Sequence, residues 1–402
     1  LMMKINKRQI IFLILITSII GCQEANTPQT DLTAFSVDSN HILLNGNPLD
    51  IRGVVYVVGY PGYIPWEVES RHPLPADLQM WVNEDIDNIV ALGANTIRLW
   101  SAPQYCYEVI QETGSLNIVQ TIWFDGEVEN FQNETFKESS KQYIREVIQR
   151  MFMGTDGTVP PLLAFVVGNE LSEQSILSTN LLNPSINSYV GEFIATDTTL
   201  TATEAFLAEM ADHTKSYYSQ LFDVVPLTTY ANDIRTAEII DTPFLDFRSH
   251  NAYSYAVDYY LEDPPTGSSS GTIFQGWLEY LKNMVPDKPL LITETGLSVS
   301  PGVPSTGPPN YGYGGNTEEE QAQGLIQNLD DAESSIAPLA GVIIHEYLDA
   351  WWKFGLEDSY TQDPDDIEEW FGIMKLSQDG DAVIVTSRMA YNQIQTRWTG
   401  DE

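Results

Sequence analysis

Basic residues are scarce in this sequence of 402 residues. The 19 Lys and Arg stand against 56 Asp and Glu, and the formal net charge at pH 7 is −37. Such an excess of negative charge repels phosphate groups, which argues against nucleic-acid binding and disfavours polyanionic substrates and anionic membrane surfaces. Core-forming residues are not lacking, because 43% of the chain is hydrophobic and 11% aromatic. The composition therefore excludes a disordered chain and predicts a large folded core.

Cysteine is almost absent, and so are the common metal and nucleophile motifs. The two cysteines, Cys22 and Cys106, cannot form a disulfide framework, and Cys106 is predicted to be a small buried hydrophobic residue. No HExxH, CxxC or Ser-His-Asp arrangement is present, and His345-Glu346 lacks a second histidine at metal spacing. The acidic segment 363–369 (DPDDIEE) is a weak candidate for calcium and reads better as a solvated face. We therefore expect no metal and no cofactor.

Long hydrophobic runs are also missing. The apolar run Ile10–Ile20 is too short for a relaxed membrane span, which needs about 20 residues, and it follows three basic residues as a signal peptide does. The sequence Ile19-Ile20-Gly21-Cys22 resembles the lipobox of bacterial lipoproteins, and this resemblance implies lipidation of Cys22 and a place in the cell envelope. An ordinary signal peptide with a chance cysteine is the alternative. We expect a leader over 1–21, a polar tether over 22–34, and one folded domain over 35–402.

The remainder of the chain alternates short apolar runs with helical patterns. Eight runs read as strands buried on both faces, as in a parallel sheet: 51–57, 94–100, 117–123, 162–168, 225–230, 245–251, 289–295 and 341–347. Helical patterns cover 77–92, 203–221, 271–284, 317–332 and 387–398, and Thr317 with Glu320 forms a capping box. The chain is therefore predicted to form an α/β fold, a single (β/α)₈ TIM barrel preceded by a short hairpin with an Asn45-Gly46 turn. A doubly wound sheet is less favoured, since no glycine-rich loop follows the first strand.

Two of the predicted strands end in a glutamate. The fourth ends in Val167-Gly168-Asn169-Glu170 and the seventh in Thr293-Glu294-Thr295. Barrel enzymes carry their chemistry at this end of the strands, and a carboxylate there is costly without partners. Two such carboxylates facing each other about 5–5.5 Å apart are what a retaining glycosidase uses as nucleophile and acid/base. Two N-cap or loop glutamates are the plainer alternative.

These motifs resemble the clan A retaining glycoside hydrolases over roughly residues 35–400. The resemblance implies that Glu170 is the acid/base and Glu294 the nucleophile, and that Asn169 holds the sugar 2-hydroxyl. Arg98, at the end of the second strand, would lie near Glu294, lower its pKa and keep it ionised. Tyr253, after the sixth strand, would donate a hydrogen bond to the nucleophile.

Further residues are weaker candidates for sugar binding. His250 is read either as a sugar ligand or as a core histidine, and Trp351 as the floor of the subsite for the cleaved sugar, with Trp352 in the core. Aromatic side chains on the loops after the first and seventh strands are read as cleft walls or loop anchors: Tyr63, Trp66, Tyr311 and Tyr313. Glu346 is a possible substrate ligand, and Glu173 a loop residue.

The motifs point to more than one family within the clan. The strand-end sequences of Glu170 and Glu294 look like glycoside hydrolase family 17 and related β-1,3-glucan enzymes. The start of the domain looks more like families 2 and 5, and Asn251-Ala252-Tyr253 looks like family 2. The expected substrate is a neutral β-glycan, first of all a β-1,3-glucan. The enzyme is expected to be a monomer and to contact the membrane only through its lipid. The alternatives are a transglycosylase, a β-mannan hydrolase and a non-catalytic glycan-binding lipoprotein.

Overall fold

The structure is a computed structural model, and it describes residues 34–256, 272–334, 339–353, 360–380 and 382–400. The predicted leader, the lipidation site Cys22 and all but the last residue of the predicted tether lie outside these ranges. Among the helices in the described ranges, none combines the length and apolar character that crossing a membrane requires.

Eight parallel strands form a closed barrel, as the sequence predicts. They are β1 Ile51–Tyr56, β2 Thr96–Leu99, β3 Asn117–Ile122, β4 Leu162–Asn169, β5 Leu227–Asn232, β6 Arg248–Asn251, β7 Leu290–Thr295 and β8 Gly341–Ile344. Each strand pairs with its neighbours in chain order, and β8 closes the barrel by pairing with β1. Nearly every strand residue is buried, because side chains of one parity fill the barrel and those of the other pack under helices.

Helices cover the outside of the barrel. They are α1 Pro65–Val68, α2 Ala76–Ala91, α3 Gln104–Thr113, α4 Glu134–Gly154, α5 Glu173–Leu182, α6 Ala202–Phe222, α7 Ile273–Met284, α8 Glu318–Glu333 and α9 Met389–Thr399. The five predicted helical segments correspond to α2, α6, α7, α8 and α9, with ends shifted by one or two residues. The capping box of Thr317 and Glu320 is present at the start of α8. Cys106 is buried in α3, as expected.

A small antiparallel sheet precedes the barrel. Its strands are Phe35–Val37, Ile42–Leu44 and Asn47–Pro48, one strand more than the predicted hairpin. Asn45 and Gly46 both have positive φ, 52° and 79°, as a two-residue hairpin turn requires. Ile42 from this sheet is fully buried in the apolar cluster that contains Ile51, at the start of β1. The sheet therefore packs against the amino-terminal end of the barrel, opposite the strand ends where the glutamates lie.

A hairpin near the end of the chain was not predicted. Met374–Asp379 pairs with Ala382–Ser387. The second strand carries the apolar run 383–385, and Asp379-Gly380 before it is a hairpin turn signal, so this element could have been predicted. The next residue, Arg388, is buried and donates to both carboxylate oxygens of Asp349 at 2.6 and 2.7 Å. This ion pair fixes the segment that follows β8, which continues into the wall of the cavity described next.

Candidate active site

A cavity of about 510 Å³ opens at the carboxyl ends of the barrel strands. Besides Ile234 and Ala256, four kinds of side chain line it. They are the carboxylates Glu170, Asp233, Glu294 and Glu368, the cations Arg235 and Lys353, the amides Asn169 and Asn251, and an aromatic wall of Trp100, Trp123, Tyr253, Tyr255, Tyr313, His345 and Trp352. Both predicted catalytic glutamates therefore face the same space. Concave sites with a few convergent polar groups at this end of a barrel are where barrel enzymes bind substrates.

Glu170 follows the last residue of β4. Its backbone N–H donates to the Ala231 carbonyl of β5 at 2.9 Å, and its φ is 44°. One carboxyl oxygen accepts from the Asn251 amide at 2.8 Å, and the other from Arg235 at 3.1 Å. About 27% of the side chain remains exposed. Glu170 is therefore held at two oxygens and still accessible from the cavity.

Glu294 lies in β7 beside Asn251 of β6, to which it is paired in register. One carboxyl oxygen accepts from Arg98 at 2.7 Å and the other from the Tyr253 hydroxyl at 2.6 Å. The residue is only 4% exposed. Both contacts were expected from the sequence, and together they fix the orientation of this carboxylate.

One amide network joins the two glutamates. Arg98, besides contacting Glu294, donates through its other terminal nitrogen to the Asn169 side-chain oxygen at 2.8 Å. Asn251 donates to the same oxygen at 3.1 Å and to Glu170 at 2.8 Å. Because these two donors hold the Asn169 oxygen, a ligand in the cavity would meet its amide nitrogen. The sequence predicted roles for Asn169 and Arg98 but none for Asn251, which connects Glu170 to the Asn169 oxygen.

The two carboxyls differ in the charges around them. Burial, with the negative charges of Glu294 and Asp233, raises the pKa of Glu170 to about 8 against the opposing contacts of Asn251 and Arg235. Burial also raises the pKa of Glu294, but Arg98, Tyr253 and Lys353 oppose that rise. Arg98 therefore acts on Glu294 in the expected direction, while the net shift is upward because desolvation outweighs the cation.

His250 lies outside the cavity. Its ring packs edge-on against Trp277 of α7 at 6.0 Å, and its Nδ1 lies 3.1 Å from the backbone oxygen of Asn251. Burial lowers its pKa to about 4, so the ring is neutral at pH 7. Successive strand residues point to opposite faces, and Asn251 takes the inward position. The sugar-binding interpretation of His250 is therefore corrected to the core one.

The positions predicted for the two adjacent tryptophans after β8, Trp351 in the cavity and Trp352 in the core, are reversed in the structure. Trp351 is 7% exposed and belongs to the main apolar core, whereas Trp352 lines the cavity. A side chain at Gly59 would overlap the Trp352 indole, so the glycine in the loop after β1 makes room for this ring. Of the two neighbours, Trp352 is therefore the one that faces the cavity, which the sequence of an irregular segment does not reveal.

The loop aromatics divide between anchors and cleft residues. Tyr63 donates to Asp77 at 2.8 Å and Tyr311 is 4% exposed, so both anchor their loops and neither lines the cavity. Tyr313 does line it and packs on Tyr255 with ring centres 4.8 Å apart. Trp66 is 56% exposed and borders a neighbouring groove.

Glu346 is buried and does not line the cavity. Its carboxylate lies 3.1 Å from the ammonium of Lys353, which also lies 3.4 Å from Glu368. Burial raises the pKa of Glu346 to about 7. Its contact therefore holds Lys353 rather than substrate. Glu173, read as a loop residue, is the exposed first residue of α5.

Several cleft residues were missed by the sequence reasoning. They are Trp100, Trp123, Asp233, Arg235, Lys353 and Glu368. The first four lie within three residues of a barrel strand end, and a search of those positions would have found them. Lys353 and Glu368 lie far along the segment after β8, where no strand end indicates the direction of a side chain.

The acidic segment 363–369 forms a local turn. The Asp363 N–H donates to Glu369 at 2.6 Å, and the Glu368 N–H donates to Asp366 at 2.9 Å. Within the ranges that the structure describes, no cluster of three or more histidine, cysteine or acidic side chains is placed to hold a metal ion.

No protein-family model and no curated protein sequence matches this chain. Solved structures do match. A family 2 β-galacturonidase from Eisenbergiella tayi bound to galacturonate aligns with a TM-score of 0.60 at 18% identity, over 92% of this chain and 55% of that one. A β-glucuronidase from Ruminococcus gnavus aligns with a TM-score of 0.59 at 16% identity, over 92% and 53%. Bacteroides uniformis β-glucuronidase 2, covalently bound to cyclophellitol-6-carboxylate aziridine, aligns with a TM-score of 0.60 at 16% identity, over 92% and 38%.

At these identities the likeness establishes the barrel fold. The chain spans about half the length of these structures or less. None of the three is a family 17 enzyme, and their names give no support to that part of the sequence resemblance.

Proposed function

We propose that this protein is a retaining β-glycosidase of the clan A type, with Glu170 as acid/base and Glu294 as nucleophile. The observation that carries the proposal is the pair of carboxyls facing one cavity. Glu170 is desolvated and partly accessible, and Glu294 is buried against Arg98 and Tyr253. The solved structures with the same fold include glycosidases of family 2, in agreement with this assignment.

The first half of the reaction cleaves the glycosidic bond. A carboxyl with a pKa of about 8 holds its proton at pH 7, so Glu170 donates it to the leaving oxygen. The carboxylate of Glu294 attacks the anomeric carbon as the carbon–oxygen bond breaks, and a covalent glycosyl-enzyme forms with an inverted centre. Arg98 and Tyr253 hold the attacking carboxylate in one orientation.

The second half of the reaction releases the sugar. Glu170, now ionised, takes a proton from water as the water oxygen attacks the anomeric carbon and the bond to Glu294 breaks. The second inversion gives overall retention. A sugar hydroxyl in place of water would give transglycosylation from the same intermediate, which is the first alternative.

We propose a neutral β-glycan as the substrate. Among the described residues, both cations that line the cavity are paired with acids, Arg235 with Asp233 and Glu170, and Lys353 with Glu346 and Glu368. A substrate carboxylate would therefore meet an acidic surface. β-1,3-Glucan comes first among neutral glycans because of the motif resemblance, and β-mannan follows. Uronides form the second candidate class of substrate. The solved structures with this fold are named as β-galacturonidase and β-glucuronidase, and the cation Lys353 faces the cavity.

The decisive experiment is a panel of β-1,3-glucan, β-1,4-glucan, β-mannan and aryl β-glucuronide, with product sizing and proton NMR of the first anomer formed. We expect β-anomeric product from one neutral glycan, and a loss of several orders of magnitude in Glu170→Gln and Glu294→Gln. Glu173→Gln is the matched control, an exposed glutamate three residues from Glu170. α-Anomeric first product, or near-normal turnover in either active-site variant, would contradict the mechanism. Binding without product release would indicate the non-catalytic alternative.

The lipid anchor remains part of the proposal and depends on the lipobox resemblance around Cys22. We expect the full chain made in a bacterial host to partition into detergent and to incorporate labelled palmitate. Cys22→Ser should abolish both, and Cys106→Ser should change neither. Equal labelling of the Cys22→Ser protein would rule the anchor out.

A further inference from the structure

A second cavity adjoins the catalytic one and shares three of its walls. It measures about 360 Å³ and lies over the ends of β1, β2 and β3. Trp100, Trp123 and Trp352 line both cavities, and Trp66 closes the far side. A ligand that leaves the catalytic cavity on this side therefore enters a space walled by four indoles.

The indoles form two perpendicular surfaces. Trp66 meets Trp352 edge-on, with ring centres 5.9 Å apart and an interplanar angle of 83°. Trp100 meets Trp352 at 84° and lies 5.1 Å from Trp123. Trp66 and Trp123 are 56% and 42% exposed, so their faces are open to a ligand. Exposed large aromatics clustered in this way mark a binding surface rather than a core.

The end of the groove is polar. Ser101 donates to Glu69 at 2.7 Å, and Arg150 and the Tyr143 hydroxyl lie 3.1 and 3.4 Å from the same carboxylate oxygen. Glu69, Ser101 and Tyr143 line the groove together with the indoles. A pyranose ring offers the complementary chemistry, since its C–H face stacks on an aromatic face while its hydroxyl edge meets polar groups.

From these contacts we infer that the groove, defined by Trp66, Trp100, Trp123, Trp352 and Glu69, binds a second sugar ring of the same glycan chain. This inference rests on the proposed function for the identity of the first ring, which occupies the neighbouring catalytic cavity. The shared walls connect the two spaces, so one chain runs through both. The substrate is accordingly an oligosaccharide or polysaccharide rather than a glycoside of one sugar.

The test measures binding apart from turnover. In the Glu294→Gln protein, calorimetry compares a monosaccharide with the β-linked di- and trisaccharides of the same sugar. We expect at least tenfold tighter binding of the disaccharide. Trp66→Ala and Trp123→Ala should each remove about three- to tenfold of that gain, the range for one lost aromatic contact. Trp66 lines only the groove, so Trp66→Ala should leave monosaccharide binding unchanged. Phe193→Ala, an exposed aromatic that lines neither cavity, should leave both affinities unchanged.

Three results would overturn the inference. The first is equal affinity for mono- and disaccharide across β-1,3-, β-1,4-gluco- and manno-oligosaccharides. The second is a disaccharide gain that survives in both tryptophan variants. The third is an equal gain in affinity from octyl β-glucoside, which would assign the groove to an apolar aglycone. The Glu170→Gln protein repeats the measurement if Glu294→Gln folds poorly. Failure of the proposed function gives a different pattern, namely tight disaccharide binding with no product from the wild type.

Discussion

Arg98 and Glu294 form an ion pair across the barrel, with Nη1 of Arg98 2.7 Å from Oε1 of Glu294 and side-chain exposures of 0% and 5%. The arginine comes from β2 and the glutamate from β7, with β8 and β1 between them. The same guanidinium also donates to the Thr293 carbonyl and to Asn169. Arg98 therefore joins strands on several sides of the lumen beneath the cavity.

Removal of Arg98 should destabilise the fold through the charge it leaves behind. Arg98→Met leaves Glu294 buried without its cation, and we expect the free energy of unfolding to fall by about 3–5 kcal/mol at pH 7. Urea denaturation measures it. The double variant Arg98→Met/Glu294→Gln carries no such charge and should recover part of the loss. Additive losses in the double variant would show that the two side chains act independently.

Tyr253 should matter for the nucleophile rather than for the fold. Its hydroxyl donates to Glu294 at 2.6 Å, a contact that lowers the pKa of that carboxyl. Tyr253→Phe should therefore lower kcat/KM about 10- to 100-fold, as expected for one hydrogen bond to a charged group, and move the acidic limb of the pH profile upward. Tyr63→Phe, which loses a hydroxyl contact to Asp77 outside the cavity, is the matched control. An unchanged acidic limb would remove Tyr253 from the nucleophile's environment.

Arg235 should set the alkaline limb of activity. The acid/base must carry a proton, so activity falls as pH rises through the pKa of Glu170, about 8. The positive charge of Arg235 lowers that pKa, and Arg235→Met should therefore move the alkaline limb of kcat/KM to higher pH. Arg145→Met on α4, which contacts Gln142 away from the cavity, should leave the limb in place. A downward shift in Arg235→Met would contradict the assignment of Glu170 as the acid.

The barrel was predictable from sequence because its signal is local. Continuous apolar runs such as 162–168 and 289–295 leave few alternatives to buried parallel strands, and the capping box at Thr317 marks a helix start by backbone chemistry alone. The hairpin at 374–387 was missed although its signal is also local, since Asp379-Gly380 precedes the apolar run 383–385. Its two strands are adjacent in the sequence and pair with each other.

The residues of the candidate site likewise include some that the sequence placed and some that it did not. Glu170, Glu294 and Arg98 were predictable because each ends a barrel strand, where direction and depth follow from the register. Trp351 was misplaced by one residue, and of the two interpretations left open for His250 the core one holds. In both cases the neighbour takes the inward position. In β6 the phase of the strand decides this, and after β8 the irregular backbone does. Neither can be read from residue type.

A buried carboxyl outside the site should make stability depend on pH. Asp85 of α2 is 1% exposed and accepts from Tyr56 at 2.9 Å and from Tyr60. Burial raises its pKa from 3.8 to about 7. Between these values the folded protein keeps a proton that the unfolded chain has lost, so the free energy of unfolding falls as pH rises from about 4 to about 7. The difference between these two pKa values corresponds to a loss on the order of 4 kcal/mol.

Asp85→Asn should remove this pH dependence. The neutral amide oxygen still accepts from the tyrosines and loses no proton, so the variant should gain stability relative to the wild type between pH 5 and pH 8, by up to the same order of magnitude. Urea denaturation at the two pH values gives the comparison. Asp87→Asn, an exposed acid on the same helix, should shift by the same small amount at both. A constant difference between wild type and Asp85→Asn at pH 5 and 8 would show that Asp85 does not titrate in this range.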